Sequence, residues 1–322
     1  MTDRTPFKTR LTEALATLAS GDLAGARSQL DQLRADPRAQ TMGQQTVLGM
    51  PRQLHAAYLK LAKAERDPIA RIGLQYALVP DPVVLARFAD LSSDQRRATA
   101  LADRQPVPQV IHQIWIGPRP PPATTTAWAH HAERQGYGYR LWREADLRDL
   151  GVDADPVYHA MMARGDFPGA VDIARYILLR EQGGIYLDCD WYPARNDIGF
   201  HDRLPLIGLT VLAEDTPRQT GFGSLLLSNA FIAAPPLHPA FDRLLAALPS
   251  VQAELPRAPA WWTTGPLIFT LICRGGAVTV ADAGLVAGKA DGCVTPDAIA
   301  ALCADIQARD GGMLLAWKPW GS

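Results

Sequence analysis

The stretch Gln182–Tyr192 reads QGGIYLDCDWY. Two glycines open a short apolar run that ends in two aspartates one residue apart. Side chains on a strand alternate between its faces. Ile185, Leu187 and Cys189 are therefore expected on one side, and Tyr186, Asp188 and Asp190 on the other. An aromatic ring and two carboxylates then line the C-terminal end of a strand, where open α/β sheets take their ligands. Neighbouring carboxylates repel unless a proton or a cation lies between them. A hard divalent cation that also holds phosphate oxygens suits such a pair.

Immediately upstream, Ala170–Glu181 reads AVDIARYILLRE. Ala170, Val171, Ala174, Ile177 and Leu178 recur at helical spacing. Asp172 and Arg175 share another face by the i,i+3 rule. Charges on an otherwise apolar helix are costly to bury alone. Either the two pair with each other, or they look into the same pocket as Asp188 and Asp190. Gln182-Gly183-Gly184 ends the helix and turns the chain directly into the strand.

An earlier run, Pro108–Pro118, reads PQVIHQIWIGP and predicts a first buried strand through Val110, Ile111, Ile114 and Ile116. His112 and Gln113 are polar within it and must find partners in the core or at the pocket wall. Trp115 stands near the following loop, placed either to stack on a ligand or to fill the core. No G-x-G-x-x-G follows this strand, and no G-x-x-x-x-G-K-[ST] occurs anywhere, so the usual phosphate cradles are absent. Tyr137–Trp142 reads as a second strand. Met161, Met162 and Phe167 read as packing residues.

The 322 residues allow a large core and a second, smaller unit. With 32 basic and 33 acidic side chains, the charge balance gives no support for nucleic-acid binding. The four cysteines, Cys189, Cys273, Cys293 and Cys303, form no C-x-x-C pair, so neither a zinc knot nor a disulfide framework is expected. The N-terminal residues lack the apolar run of a signal peptide, and no span of eighteen apolar residues occurs. A cytoplasmic location is expected, with peripheral association at the inner membrane left open.

Residues 1–104 read as a helical N-terminal region. Leu11, Leu15 and Leu18 mark a first helix, Leu23, Ala26, Leu30 and Leu33 a second, and Leu54, Ala57, Tyr58, Leu61 and Ala62 a third. Ser92 or Ser93 is placed to cap a further one. This region carries no chemical cluster and reads as a helical cap or a module that docks a partner. The prolines at Arg104–Pro108 suggest the boundary, and residues 105–322 form the second domain.

Further on, Leu204–Leu212 and Leu225–Ala234 read as strands, with Asn229 interrupting the second. The polar, glycine-containing Glu214–Gly223 reads as a mobile loop over the site. His238 reads as a helix-start residue. Thr264 is placed to cap a helix beginning after Gly265-Pro266, and Thr295 to cap a last helix opened by Pro296.

Val110–Gly117 (VIHQIWIG), Asp172-x-x-Arg175 and Gly183–Asp190 together resemble the DXD-containing sugar-binding glycosyltransferases of family 32. More distantly, they are similar to the glucosylating domains of large clostridial toxins. The resemblance covers roughly Pro106 to the C-terminus. It implies a GT-A type α/β fold with a mixed, mostly parallel central sheet, and transfer of sugar from a nucleotide diphosphate with retention of configuration. It implies manganese, with magnesium as the alternative, held by Asp188 and Asp190. By matching position, Asp190 resembles the direct metal ligand and Asp188 the residue that touches the ribose and helps place the metal. Asp172 and Arg175 resemble the pair that grips the donor sugar, and Trp115 the residue that stacks on the base. Ile116, Gly117, Tyr186 and Asn229 are counted with the donor-binding set.

The tail reads LLAWKPWGS from Leu314 and departs from the family's pattern, with Ala316-Trp317 where a histidine is common. Trp320 is expected in closure of the site and Lys318 near phosphate. The expected partners are a nucleotide-sugar donor, UDP-sugar first and GDP-sugar second, and a glycan or glycolipid acceptor. Two other readings stand beside this one: a metal-dependent nucleotidyltransferase or phosphodiesterase, and a catalytically silent sugar-nucleotide scaffold.

Overall fold

A computed structural model describes residues 5–38, 42–46, 48–77, 82–214, 226–256 and 258–320. The chain divides into two compact units at Pro82/Val83. In the first, helices α1 (Thr5–Ala19), α2 (Leu23–Ala35), α3 (Arg52–Ala64) and α4 (Pro68–Tyr76) succeed one another. Their apolar stripes meet in one cluster that includes Leu11, Leu30, Leu33, Leu54 and Leu61. Asp22 caps α2 through Gly25 N–H, and Asp67 caps α4. His55 is fully buried among these helices, its ring nitrogens meeting Thr46 Oγ1 at 2.9 Å and the Leu74 carbonyl at 2.7 Å.

The second unit opens with α5 (Pro82–Ala86) and α6 (Ser93–Ala102), which the sequence groups with the N-terminal helices. Leu85 joins the second unit's main core cluster. The Arg243 guanidinium ties the carbonyls of Phe88 and Asp90 to the same unit. Ser92 and Gln95 form a reciprocal capping box at the start of α6.

The central elements follow in order: β1 (Val110–Ile114), α7 (Ala123–Gln135), β2 (Gly138–Trp142), α8 (Glu144–Asp149), α9 (Pro156–Ala163), α10 (Phe167–Gln182) and β3 (Gly184–Leu187). After β4 (Trp191–Pro193) come β5 (Thr210–Ala213), β6 (Leu227–Ala234), α11 (Pro239–Glu254), α12 (Ala260–Thr263) and α13 (Pro266–Cys273). The chain then runs through β7 (Thr279–Val280), β8 (Val286–Lys289), α14 (Pro296–Ala308) and β9 (Leu314–Ala316). The main sheet has six strands in the order β2-β1-β3-β6-β5-β7. Only β6 runs against its neighbours, so the sheet is mixed and mostly parallel, as expected. A second sheet, β4-β9-β8, brings the tail against the strand that follows the two aspartates.

The alternation expected for β3 holds. Tyr186 packs into the cluster shared with α9, α10, α11 and α13, whereas Ile185 and Leu187 join the opposite cluster with Trp128, Phe200 and Phe231. The glycine pair where α10 turns into β3 is required by close approach. A Cβ on Gly183 (φ +61°) would lie 2.6 Å from Pro236 N, and one on Gly184 (φ +98°) 2.8 Å from the Val110 carbonyl.

The strand expected over Leu204–Leu212 is shorter and begins only at Thr210. Leu206 (φ +48°) and Gly208 (φ +64°) take backbone conformations that no strand can continue through. The loop expected over Glu214–Gly223 lies, from residue 215 on, outside the described residues. Among the described residues, no helix is long and apolar enough to cross a membrane.

Candidate donor and metal site

The site lies at the C-terminal end of β3, and its centre is Arg175. Helix α10 buries this residue completely enough that 4% of its side chain is exposed. Its Nη2 lies 3.1 Å from Asp172 Oδ1 and 3.1 Å from Asp188 Oδ1, so one cation joins both acids. Nη1 donates to the Asn229 carbonyl, and the guanidinium lies 4.6 Å from the centre of the Tyr186 ring. The two arrangements left open by the sequence both occur: Asp172 and Arg175 pair with each other and with Asp188.

Asp172 accepts further hydrogen bonds from Asn229 Nδ2 at 2.8 Å and from Thr264 Oγ1 at 2.8 Å. Burial pushes its carboxyl up to about 6, with Arg175 and the Thr264 and Asn229 bonds opposing that rise. It is therefore mostly ionised at neutral pH. Burial pulls the Arg175 guanidinium down, but the charges of Asp188 and Asp172 outweigh it and the net direction is up. Thr264 does not cap α13 as the sequence suggests. Gly265 holds that position without a side-chain bond, and the threonine hydroxyl turns to Asp172 instead.

The strand stops at Leu187, so the two aspartates stand in a turn rather than on one strand face. Asp188 keeps the orientation expected for it, accepting from Tyr186 Oη at 2.7 Å. Asp190 follows in the turn, half-buried. Burial and the nearby Asp188 charge push its carboxyl up, to about 6, while Lys318 on the tail pulls it down.

The backbone of this turn is held from several directions. Gln113 Nε2 donates to the Asp188 carbonyl at 3.3 Å and Thr124 Oγ1 donates to the Cys189 carbonyl. Trp317 N–H donates to the Asp190 carbonyl at 2.8 Å, and Trp128 Nε1 to the Trp191 carbonyl at 2.8 Å. Between the carboxylates, the Cys189 thiol turns inward to the Ile114 carbonyl at 3.3 Å, and burial raises its pKa. The turn is thus anchored by β1, α7 and the tail, leaving its carboxylates outside that backbone network.

Trp115 is half-buried just beyond β1, its Nε1 donating to the Arg119 carbonyl at 2.9 Å. Trp320 meets it edge-on, with ring centres 5.0 Å apart. The structure thus brings together Asp172, Arg175, Tyr186, Asp188 and Asn229 in one bonded group, and Trp115 and Trp320 in another. Ile116 is not brought to either group, because its side chain is in the core. Gly117 N–H donates to Glu144 Oε1 at 2.6 Å. Phe167, expected in the packing, is 38% exposed and covers the side of Gly117 that lacks a Cβ. His112 accepts from Trp142 Nε1 at 3.2 Å, and burial holds its ring down to about 4. It stays neutral and structural at ordinary pH.

A divalent cation fits the donor set on one side. The bonds to Asp188 from Tyr186 and Arg175 both fall on Oδ1, and Asp190 adds a second carboxylate. Among the described residues there is no group of three or more histidine, cysteine or carboxylate side chains placed for a metal. The remaining ligands would come from diphosphate oxygens and water, the usual way magnesium-like ions are held.

Residues 121–205 match the family described as glycosyltransferase sugar-binding region containing DXD motif, and this segment includes Asp172, Arg175, Asp188 and Asp190. The resemblance drawn from the sequence is borne out at that level. The chain is similar to an uncharacterized glycosyltransferase of Acanthamoeba polyphaga mimivirus, 29% identical over 141 residues, covering 42% of this chain and 53% of the relative. It is similar also to inositol phosphoceramide mannosyltransferase 1 of Schizosaccharomyces pombe, 26% identical over 171 residues, covering 49% of this chain and 47% of the relative. The chain spans about half the length of the curated relatives it matches. Among solved structures, the PaToxG glycosyltransferase aligns at a TM-score of 0.42 and 18% identity, over 59% of this chain and 76% of that one.

Proposed function

We propose that this chain is a retaining glycosyltransferase of the GT-A type, taking sugar from a nucleotide diphosphate donor, UDP-sugar first, to a glycan or lipid-linked acceptor. The observation that carries this reading is Arg175 bridging Asp172 and Asp188 at the end of β3, inside the segment that matches the DXD family. In this reading Asp188 and Asp190 hold the metal, manganese before magnesium. When bound, the ion neutralises charge that builds on the leaving diphosphate.

The chain's own residues orient the donor. Trp115 and Trp320 flank the base and diphosphate, and Asp172 with Arg175 holds the sugar. Fixing the sugar matters because misplacement by about an ångström costs on the order of a hundredfold in rate. Asp172 is engaged by Arg175, Asn229 and Thr264, which suits a fixed anion better than a nucleophile. Retention then follows from attack by the acceptor on the face the diphosphate leaves, with a diphosphate oxygen taking the acceptor's proton. In the same reading the protein works in the cytoplasm, and the N-terminal unit serves to dock a partner.

A panel of UDP- and GDP-sugars with manganese or magnesium, read as nucleotide release with and without glycan acceptors, tests the proposal. Asp190→Asn should lower turnover by at least about a hundredfold while leaving the unfolding midpoint in place. Near-normal turnover in that variant overturns the assignment. A glycosyl group trapped covalently on any side chain overturns the front-face route.

A further inference from the structure

The tail of the chain returns to the turn that carries Asp188 and Asp190. β9 pairs Ala316 with Trp191, and the next residue, Trp317, donates its N–H to the Asp190 carbonyl at 2.8 Å. The Trp317 ring is buried in a cluster with Ala194, Ile299 and Leu315, and meets Tyr192 edge-on. With Trp317 pinned at both its backbone and its ring, Lys318 leaves the tail from a fixed point, and its side chain is exposed. Its Nζ stands 6.0 Å from the centre of the Trp320 ring, which in turn meets Trp115. Its charge reaches Asp190. Among the described residues Lys318 forms no ion pair.

Formal charge decides what this ammonium is free to do. Asp172, Asp188 and Asp190 are three carboxylates and Arg175 is one guanidinium, so the ionised group keeps two negative charges. A divalent ion brings that group to neutrality and leaves no positive charge over for the diphosphate, which is itself an anion. Arg175 cannot supply the difference, because Asp172 and Asp188 already hold it. A lysine without an acid partner is a compact charge on a flexible stem, and phosphate oxygens are its natural acceptors.

We infer that Lys318 is a direct diphosphate ligand, its ammonium holding the donor's phosphate oxygens independently of any ion on Asp188 and Asp190, so that a nucleoside diphosphate stays bound when divalent metal is withdrawn. The inference rests on the glycosyltransferase reading and adds to it a second cation, carried by the chain itself. In the transfer, the bond from the sugar's anomeric carbon to the diphosphate oxygen breaks, and its electron pair stays on that oxygen. The acceptor oxygen bonds the anomeric carbon, and its proton passes to the diphosphate. Lys318 faces the charge that grows on the leaving group, where a cation already in place stabilises it without reorganisation.

The test is calorimetric binding of UDP and of GDP to the full chain, once with manganese and once with a chelator in place of metal. The wild type is expected to bind one of the two in the chelator. Lys318→Gln keeps most of the stem and removes the charge, and should weaken that metal-free affinity by about tenfold or more. Lys318→Arg keeps the charge and should stay within about threefold of the wild type. A role for the tail in packing alone would not follow charge, so equal losses in Lys318→Gln and Lys318→Arg overturn the inference. An unchanged affinity in Lys318→Gln overturns it too, as does wild-type binding that is seen only with manganese. A wild type that binds neither nucleotide under either condition overturns the functional reading, and this inference with it.

Discussion

At the scale of single residues, the site depends on one guanidinium shared by two acids. Arg175→Ala leaves Asp172 buried with its charge partner removed, and breaking a buried pair in this way costs about 3 kcal/mol or more. Denaturant unfolding should show a loss of that size, and nucleotide release should fall to background. The Asp172–Arg175 relation was legible because three residues on a helix fix a shared face. The same logic drew attention to Gln113, a polar residue in an apolar strand, which proves to hold the Asp188 carbonyl. Thr264 carried no such signal. It lies 92 positions from Asp172, and only the path of the chain after α12 brings the two together.

At the scale of elements, the helix–turn–strand unit from α10 to β3 fixes the carboxylates relative to Arg175. Gly184→Ala asks a residue with a Cβ to take φ +98° and to stand 2.8 Å from a backbone oxygen. Strain and crowding together should lower stability by about 3 kcal/mol, read as a fall in the denaturant midpoint. A change there within about 0.5 kcal/mol would show that the turn relaxes easily. This unit was legible because glycine pairs and apolar runs are local signals. The end of β3 was not, for the aspartates leave the strand to suit the anchors of β1, α7 and the tail. Leu204–Leu212 shows the same limit, since a positive φ at Leu206 is set by where the chain must go.

The tail belongs to this scale as well. Its pairing with β4 puts Lys318 beside Asp190, whose carboxyl it pulls down. Lys318→Ala should shift the acid limb of the rate profile to higher pH. An unmoved limb would show that the exposed ammonium is screened by solvent.

Across the whole molecule, pH should act on activity and stability in opposite directions at Asp172 and Asp190, whereas the buried His112 and His131 rings, held down to about 4, withdraw stability toward acid. Burial raises the carboxyls of Asp172 and Asp190 to about 6. Between about pH 4 and 6 the folded chain therefore binds more protons at these groups than the unfolded chain does. Their contribution to stability grows toward acid and is withdrawn as pH rises through 6. Catalysis needs the ionised forms, so turnover should fall as pH drops through 6. Rate profiles check the sign for catalysis, and the difference in unfolding midpoint between wild type and Asp190→Asn across the same buffers checks the sign for stability.

The thiols are also unequal. Cys189 and Cys273 are buried, Cys303 is half-buried and Cys293 is exposed. Because the residue between the two aspartates turns its sulfur toward Ile114, a maleimide dye added to the native protein should attach at Cys293 and spare the turn. A fluorescent reporter can then be fixed to the second unit while its carboxylates stay chemically untouched.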